Sequence, residues 1–335
     1  MNPLPGSDLS MLQRPGLDTL ASLAEIETTD WLAAAWLPPD HVLAPGVCAA
    51  DVVGFHQRAA TPPGAEFRRG IIYGTAGEGG RDLSLYLYSR TDCTERRPVV
   101  IFIHGGGWRA GHPFMLLRFA HHFAARGYVT ATVTYRRFPE GRWPAPLEDV
   151  KCAVRWMRRY ATSLGADPGQ IGAVGNSAGG QLAAMLALTP GQFEGAGGHA
   201  AVSSCVQAAA LLYPITDMHV PGTCDPDVPD FAAGIRELFA DSSEEALQAA
   251  SPITRVTPDA PPLLTLAGAE DKLCPLPMIR DFHSALDRVG ARNTLQAVAN
   301  AGHAFDFLPA GWATAAAALE DFFGQHLTGR RQEQA

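Results

Sequence analysis

A serine hydroxyl attacks a carbonyl carbon only when a base stands beside it and the backbone presents it at a sharp turn. Gly175-Asn176-Ser177-Ala178-Gly179 has the composition such a turn needs. It follows an apolar run, Ile171-Gly172-Ala173-Val174, and precedes an alanine- and leucine-rich helical stretch. The glycines two before and two after Ser177 admit a strained strand-to-helix turn and close packing behind it. Ser177 would then stand at a helix N-terminus, where free N–H groups and the helix dipole favour developing negative charge.

Acyl transfer by serine also needs a base, an orienter for the base, and donors for the oxyanion. Of eleven histidines, His303 alone lies in a loop after a late strand and beyond a suitable acid; His283 falls mid-helix and His326 in a terminal helix. Asp271 follows the apolar run Leu263–Ala269 and is the candidate orienter, with its neighbour Glu270 as the close rival. Asp306, three residues after the base, reads as structural. One oxyanion donor is the N–H of Ala178, the residue after the nucleophile. The others are expected from His104-Gly105-Gly106-Gly107-Trp108, where three glycines let main-chain N–H groups face the site. His104 reads as an anchor of that loop and not as a second base. The chain has neither a G-x-x-x-x-G-K-[ST] nor a G-x-G-x-x-G phosphate cradle.

The elements that must hold these residues alternate along the chain. Phe67–Thr75 and Asp82–Ser89 read as an antiparallel hairpin turning at Gly77–Gly80. The continuous apolar run Val99–Ile103 reads as a strand buried on both faces, Val129–Tyr135 and Ile171–Val174 as strands, and Val206–Tyr213 and Pro262–Ala269 as further buried strands. A further strand is expected at Thr294–Val298, and helices over 113–126, 147–165, 178–188, 278–289 and 310–325. This is an α/β chain with a mostly parallel sheet and helices on both faces. Residues 217–260 interrupt the alternation with an acidic, proline-punctuated excursion, read as a cap or lid insertion. Residues 1–66 read as an N-terminal arm that could join the cap, with a short amphipathic helix near Leu17–Ala24.

Composition narrows the function classes. The net charge of −8 and the absence of a basic cluster argue against nucleic acid or an anionic membrane as partner. Arg155, Arg158 and Arg159 read as the solvated face of a helix. Met1–Ser10 lacks the basic start and apolar core of a secretory signal, and Trp31–Leu37 is too short to span a bilayer. Six cysteines without a C-x-x-C pair read as free thiols, so a cytoplasmic protein is expected, with no disulfide frame and no metal site.

With these motifs in this order, the chain resembles the α/β-hydrolase superfamily. It is most similar to the esterase branch with an H-G-G-G-W loop and a G-x-S-A-G-G elbow, which includes hormone-sensitive-lipase-like carboxylesterases and the bacterial feruloyl-esterase-like group. The resemblance runs from about Asp82 to Gln325. It is carried by His104–Trp108, Tyr135-Arg136, Leu147–Val150, Gly175–Gly180, Ala250–Ile253, Gly268–Asp271 and Gly302-His303. It implies an α/β-hydrolase fold over 67–335 with a central eight-stranded sheet. It further implies a Ser177-Asp271-His303 triad and an oxyanion hole around Gly105, Gly106 and Ala178, with Gly107 the adjacent alternative. Trp108 would line the substrate pocket. Asn176 departs from the aspartate that lipase-like relatives often carry before the nucleophile.

The expected activity is that of a serine carboxylesterase acting on a small-molecule ester, with no cofactor. An arylformamidase or an acyltransferase would use the same triad. A non-catalytic ligand-binding protein on this fold typically lacks a triad member, and this chain has candidates for all three. Whether it forms a homo-oligomer stays open.

Overall fold

The computed structural model describes residues 42–44, 47–48, 60–77, 80–91, 95–219, 231–239 and 243–328. The readings made for the arm before residue 42 lie outside the described residues. A small antiparallel ribbon, β1 (Val42–Ala44) and β2 (Val47–Cys48), precedes the main sheet. The sheet opens with β3 (Ala65–Thr75) and β4 (Asp82–Arg90), the expected antiparallel hairpin.

The alternation then follows in chain order. β5 (Arg97–Ile103) leads to α1 (Leu117–Ala125), β6 (Val129–Val133), α2 (Ala145–Tyr160) and β7 (Ala166–Asn176). Next come α3 (Ala178–Leu188), β8 (Ala208–Leu212), α4 (Phe231–Leu238) and α5 (Glu244–Ala250). β9 (Leu263–Gly268), α6 (Leu276–Arg288), β10 (Asn293–Val298) and α7 (Pro309–Leu327) complete the chain. The strands β3 to β10 form one eight-stranded sheet in the order β10-β9-β8-β7-β5-β6-β4-β3. All neighbours are parallel except those of β4, which runs antiparallel to β3 and β6.

The inner strands are buried on both faces because helices cover both. Successive residues of β5 point to opposite sides, so Val99, Ile101 and Ile103 enter one core while Val100 and Phe102 enter the other. The first core is closed by α2, α3 and α6, through Val154, Trp156, Leu182, Ile279 and Phe282. The second is closed by α1 and α7, through Phe119, Phe123, Leu319 and Phe323. At the edge, the residues of β10 are half-buried or exposed. The outcome is the expected α/β-hydrolase architecture.

Two expectations are corrected. Strand β7 begins five residues before the apolar run, at Ala166, because Arg97 of β5 pairs with Ala166. The arginines of α2 are not a solvated face. Arg155 is buried, donating to Glu194 Oε2 at 2.6 Å and Gly198 O at 3.0 Å, and Arg158 donates to Pro168 O at 2.9 Å and Cys205 O at 2.5 Å. The carbonyls of Gly198 and Cys205 belong to the segment between α3 and β8 and that of Pro168 to the start of β7, which the helical period of α2 alone does not reveal. Of the three arginines only Arg159 is exposed.

Candidate active site

The functional residues come from loops at the carboxyl ends of β5, β7, β9 and β10, where open α/β sheets place their ligands. β7 ends at Asn176 and α3 starts at Ala178, so Ser177 alone makes the turn between them, at φ 53° and ψ −119°. A non-glycine residue there costs on the order of 1–3 kcal/mol and persists because its surroundings hold it. Its N–H donates to Leu212 O of β8 at 2.9 Å. Gly179 is required by close approach, since a Cβ there would lie 2.1 Å from the carbonyl oxygen of Ile103 in β5.

The three sequence-predicted residues meet. His303 Nε2 lies 3.0 Å from Ser177 Oγ, and His303 Nδ1 lies 2.8 Å from Asp271 Oδ2. Asp271 is buried, and its other oxygen, Oδ1, accepts the backbone N–H of Leu273 and of Cys274, each at 2.8 Å. The carboxylate is thereby aimed by its own loop before it meets the imidazole. Its rival Glu270 is exposed. Ser177 itself is 8% exposed.

The loop after β5 is held from several sides. Tyr135 stacks on the His104 ring with centroids 4.4 Å apart, and its hydroxyl donates to His104 O at 2.8 Å. His104 is buried, with Nδ1 2.8 Å from Gly105 O, and burial pushes its pKa down to about 3, so the ring is neutral. Next along the chain, Arg136 binds Asp149 of α2 through both carboxylate oxygens, at 2.7 Å and 2.9 Å. Tyr135-Arg136 and Asp149 are thus scaffold for the glycine loop.

Within that loop the glycines are not equivalent. Gly105 N–H, expected to face the oxyanion, instead donates to Asn176 Oδ1 at 2.7 Å. Among the described residues no acceptor takes the N–H of Gly106 or Gly107. Gly106 sits at φ 113°, a conformation L side chains rarely adopt. Ala178 is the first residue of α3, so its N–H has no intrahelical partner. Trp108, expected to line the pocket, is only 1% exposed. It packs in the core, with Nε1 donating to Gln181 Oε1 at 3.3 Å. The aromatic side chain after the glycines therefore braces the loop from behind.

Sequence reasoning missed one group of residues. Asn176 Nδ2 donates to Tyr213 Oη at 3.0 Å, Tyr213 Oη donates to Asp306 Oδ1, and the Tyr213 ring meets His303 edge-on at 4.6 Å. Asn176, Tyr213 and Asp306 are all buried. The available signal was a pair of polar residues beside the nucleophile and the base. Among the described residues, Asp271, Cys274 and His303 form a group of possible metal-ligand atoms within 4.8 Å of one another. Two of the three already belong to the Ser177 constellation.

Part of the acidic excursion packs against the segments after β5 and β6. Arg109, next to Trp108, pairs with Glu237 of α4 at 2.5 Å, and Trp143 N–H donates to Leu238 O at 2.9 Å. No helix among the described residues is long and apolar enough to cross a membrane. Cys152, Cys205 and Cys274 are free thiols.

Comparisons with known proteins agree with this geometry. The family model BD-FAE matches residues 84–286. Esterase LipC of Mycobacterium tuberculosis is 32% identical over 302 residues, covering 87% of this chain and 70% of LipC. The probable carboxylic ester hydrolase LipM of the same organism is 31% identical over 74% of this chain, and esterase LipQ 33% identical over 76%. The chain spans 59% of the length of LipM and 62% of that of LipQ. Among solved structures, Thermogutta terrifontis esterase 2 phosphonylated by sarin superposes with a TM-score of 0.68 at 29% identity, covering 78% of this chain and 95% of that one. The native form of that esterase gives 0.67 at 29% identity, covering 83% and 99%. With more than half its length matched by one family model, and with esterases as relatives in both sequence and structure, this chain belongs to the BD-FAE family, a feruloyl-esterase-like branch of the α/β-hydrolase fold.

Proposed function

We propose that the chain is a serine carboxylesterase that hydrolyses small-molecule carboxylic esters through an acyl-enzyme. The observation that carries this reading is His303 bridging Ser177 Oγ at 3.0 Å and Asp271 Oδ2 at 2.8 Å. Asp271 keeps the proton of neutral His303 on Nδ1, which leaves Nε2 free to accept the Ser177 proton as Oγ attacks the ester carbonyl. The imidazolium that forms is stabilised by the Asp271 carboxylate.

The tetrahedral oxyanion is held by the N–H groups of Ala178, Gly106 and Gly107, the last replacing Gly105, whose N–H is taken by Asn176. Each donor supplies on the order of 3 kcal/mol of transition-state stabilisation. Collapse expels the alcohol, which takes its proton from His303 Nε2. A water molecule then gives its proton to His303, attacks the acyl-enzyme carbonyl and releases the acid. No step calls for a cofactor or metal. The names of LipM, LipQ and LipC support an ester as the substrate.

Residues 217–260 serve as a cap, a reading supported by the Arg109–Glu237 pair beside the oxyanion loop. The free thiols support work in a reducing compartment, the cytoplasm. The test is hydrolysis of p-nitrophenyl esters from acetate to decanoate by wild type and Ser177→Ala. Turnover should vanish in the variant, and the chain-length optimum sizes the acyl pocket. Faster turnover of N-formylkynurenine than of any ester would replace the esterase by an arylformamidase.

A further inference from the structure

The hydrogen-bond chain from Gly105 to Asp306 has a fixed direction. Its first member, the backbone N–H of Gly105, can only donate, so the Asn176 atom 2.7 Å away must be the amide oxygen. The Asn176 NH2 then faces Tyr213 and donates to Oη at 3.0 Å. A phenol that accepts there must send its one proton elsewhere, and it sends it to Asp306 Oδ1. Four groups in sequence are therefore oriented by the ends of the chain: a backbone donor at one and a carboxylate acceptor at the other.

This chain joins the nucleophile side of the site to the base side by a second route, besides the direct contact of His303 Nε2 with Ser177 Oγ at 3.0 Å. Asn176 adjoins the nucleophile and pins the first glycine of the oxyanion loop. Asp306 follows the base by three residues, and Tyr213 packs edge-on against the base ring at 4.6 Å. Asp306 is 3% exposed, Asn176 2% and Tyr213 fully buried, so water cannot substitute for a missing partner. Besides Tyr213, the groups acting on Asp306 are its own backbone N–H, His303 and the Arg118 guanidinium. Burial raises its pKa to about 6.

The geometry points to Asp306 as a positioning residue for catalysis: through Tyr213 it fixes which way the Asn176 amide faces, and so holds the Gly105 peptide that sets the oxyanion loop. The inference rests on the triad and oxyanion hole proposed above. It predicts that the chain tolerates reversal only as a whole. In Asn176→Asp, two carboxylates compete for the one phenolic proton. In Asp306→Asn, an amide that keeps its oxygen on its own N–H presents Nδ2 to a phenol already receiving Asn176 Nδ2. The two changes together restore a consistent chain. The carboxylate introduced at position 176 then accepts from both Gly105 and Tyr213, and the amide introduced at position 306 donates to Tyr213.

The experiment is steady-state hydrolysis of p-nitrophenyl acetate by wild type, the two single variants, the double variant, Tyr213→Phe and Ser177→Ala, with thermal melts of each. Each single change should lower kcat about tenfold or more with KM within about twofold, and the double variant should return to within about threefold of wild type. Tyr213→Phe, which keeps the ring against His303, should show the same kcat loss even where a carboxylate variant fails to fold. A double variant no faster than Asn176→Asp, or Tyr213→Phe with wild-type kcat, overturns the proposal. Residual turnover in Ser177→Ala overturns the nucleophile assignment, and this inference with it.

Discussion

Gln181 joins Trp108 to the end of the excursion. Its Oε1 accepts the Trp108 indole N–H at 3.3 Å and its Nε2 donates to Ala250 O at 2.8 Å, with the side chain fully buried in the first turn of α3. One amide thus ties the loop after β5, the helix behind Ser177 and the last residue of α5. Gln181→Leu leaves a buried indole N–H and a carbonyl unpaired, and should destabilise the fold by about 2–4 kcal/mol. Urea unfolding measures that loss. The variant should also lower kcat for short esters, since Trp108 braces the glycine loop.

Asp271→Asn separates orientation from charge. In the native site one carboxylate oxygen takes two backbone N–H groups and the other takes His303 Nδ1. An asparagine that keeps its oxygen on the N–H groups of Leu273 and Cys274 must turn its NH2 toward Nδ1. That drives the imidazole proton to Nε2, where it can no longer accept from Ser177. The expected result is a kcat loss on the order of 10⁴ with little change in stability, read from steady-state kinetics and a thermal melt.

Acid should weaken the fold through His104. Its pKa is about 3 in the folded protein against 6.5 for an ordinary histidine, so the unfolded chain binds a proton that the native state refuses. The stability His104 confers is complete above pH 6.5 and is lost as pH falls toward 3. Between pH 6.5 and 5 the loss is roughly 2 kcal/mol from this group. Asp306, with its pKa raised to about 6 against 3.8, acts in the opposite sense, favouring the fold below pH 4 and losing that contribution as pH rises through 6. Urea midpoints measured from pH 7.5 to 4.5 should show a shallower acid-side fall in His104→Asn than in wild type.

Glu194 pairs with two cations buried on α2. Lys151 Nζ lies 3.3 Å and Arg155 Nη1 2.6 Å from its carboxylate, with both cationic side chains almost wholly buried. Burial already pulls the Lys151 pKa down. Glu194→Ala should therefore cost about 3 kcal/mol, moderated by the partial exposure of the carboxylate. Turnover per folded molecule should not change, because the pair lies outside the catalytic constellation. Denaturation curves with active-site titration give both quantities.

Ser177, Asp271 and His303 were legible in the sequence because each stands just past a strand, and parallel strands deliver their carboxyl ends to one side of the sheet. The helices were legible from their apolar faces. What escaped depends on side chains reaching across the fold. Whether Gly105 or Gly107 is free to donate depends on Asn176 Oδ1, which lies 71 residues away in the chain. Trp108 looked like a pocket wall because nothing local shows that Gln181 waits behind it. The α2 arginines looked solvated because their carbonyl partners lie further along the chain, outside the helical period. Asp306 read as structural, and its partner Tyr213 read as one more residue of an apolar strand.

His303, the proposed base, follows β10, an edge strand of the sheet. β10 has β9 as its sheet neighbour, whereas the nucleophile's strand β7 is flanked by β5 and β8. Local opening begins where fewest lateral bonds must break. The edge carrying His303 should fray while the centre carrying Ser177 stays folded, so mild heat or denaturant would silence catalysis before the protein as a whole comes apart. The working limit of the proposed activity is then set by the cohesion of one border strand, and strengthening β10 against β9 should extend it.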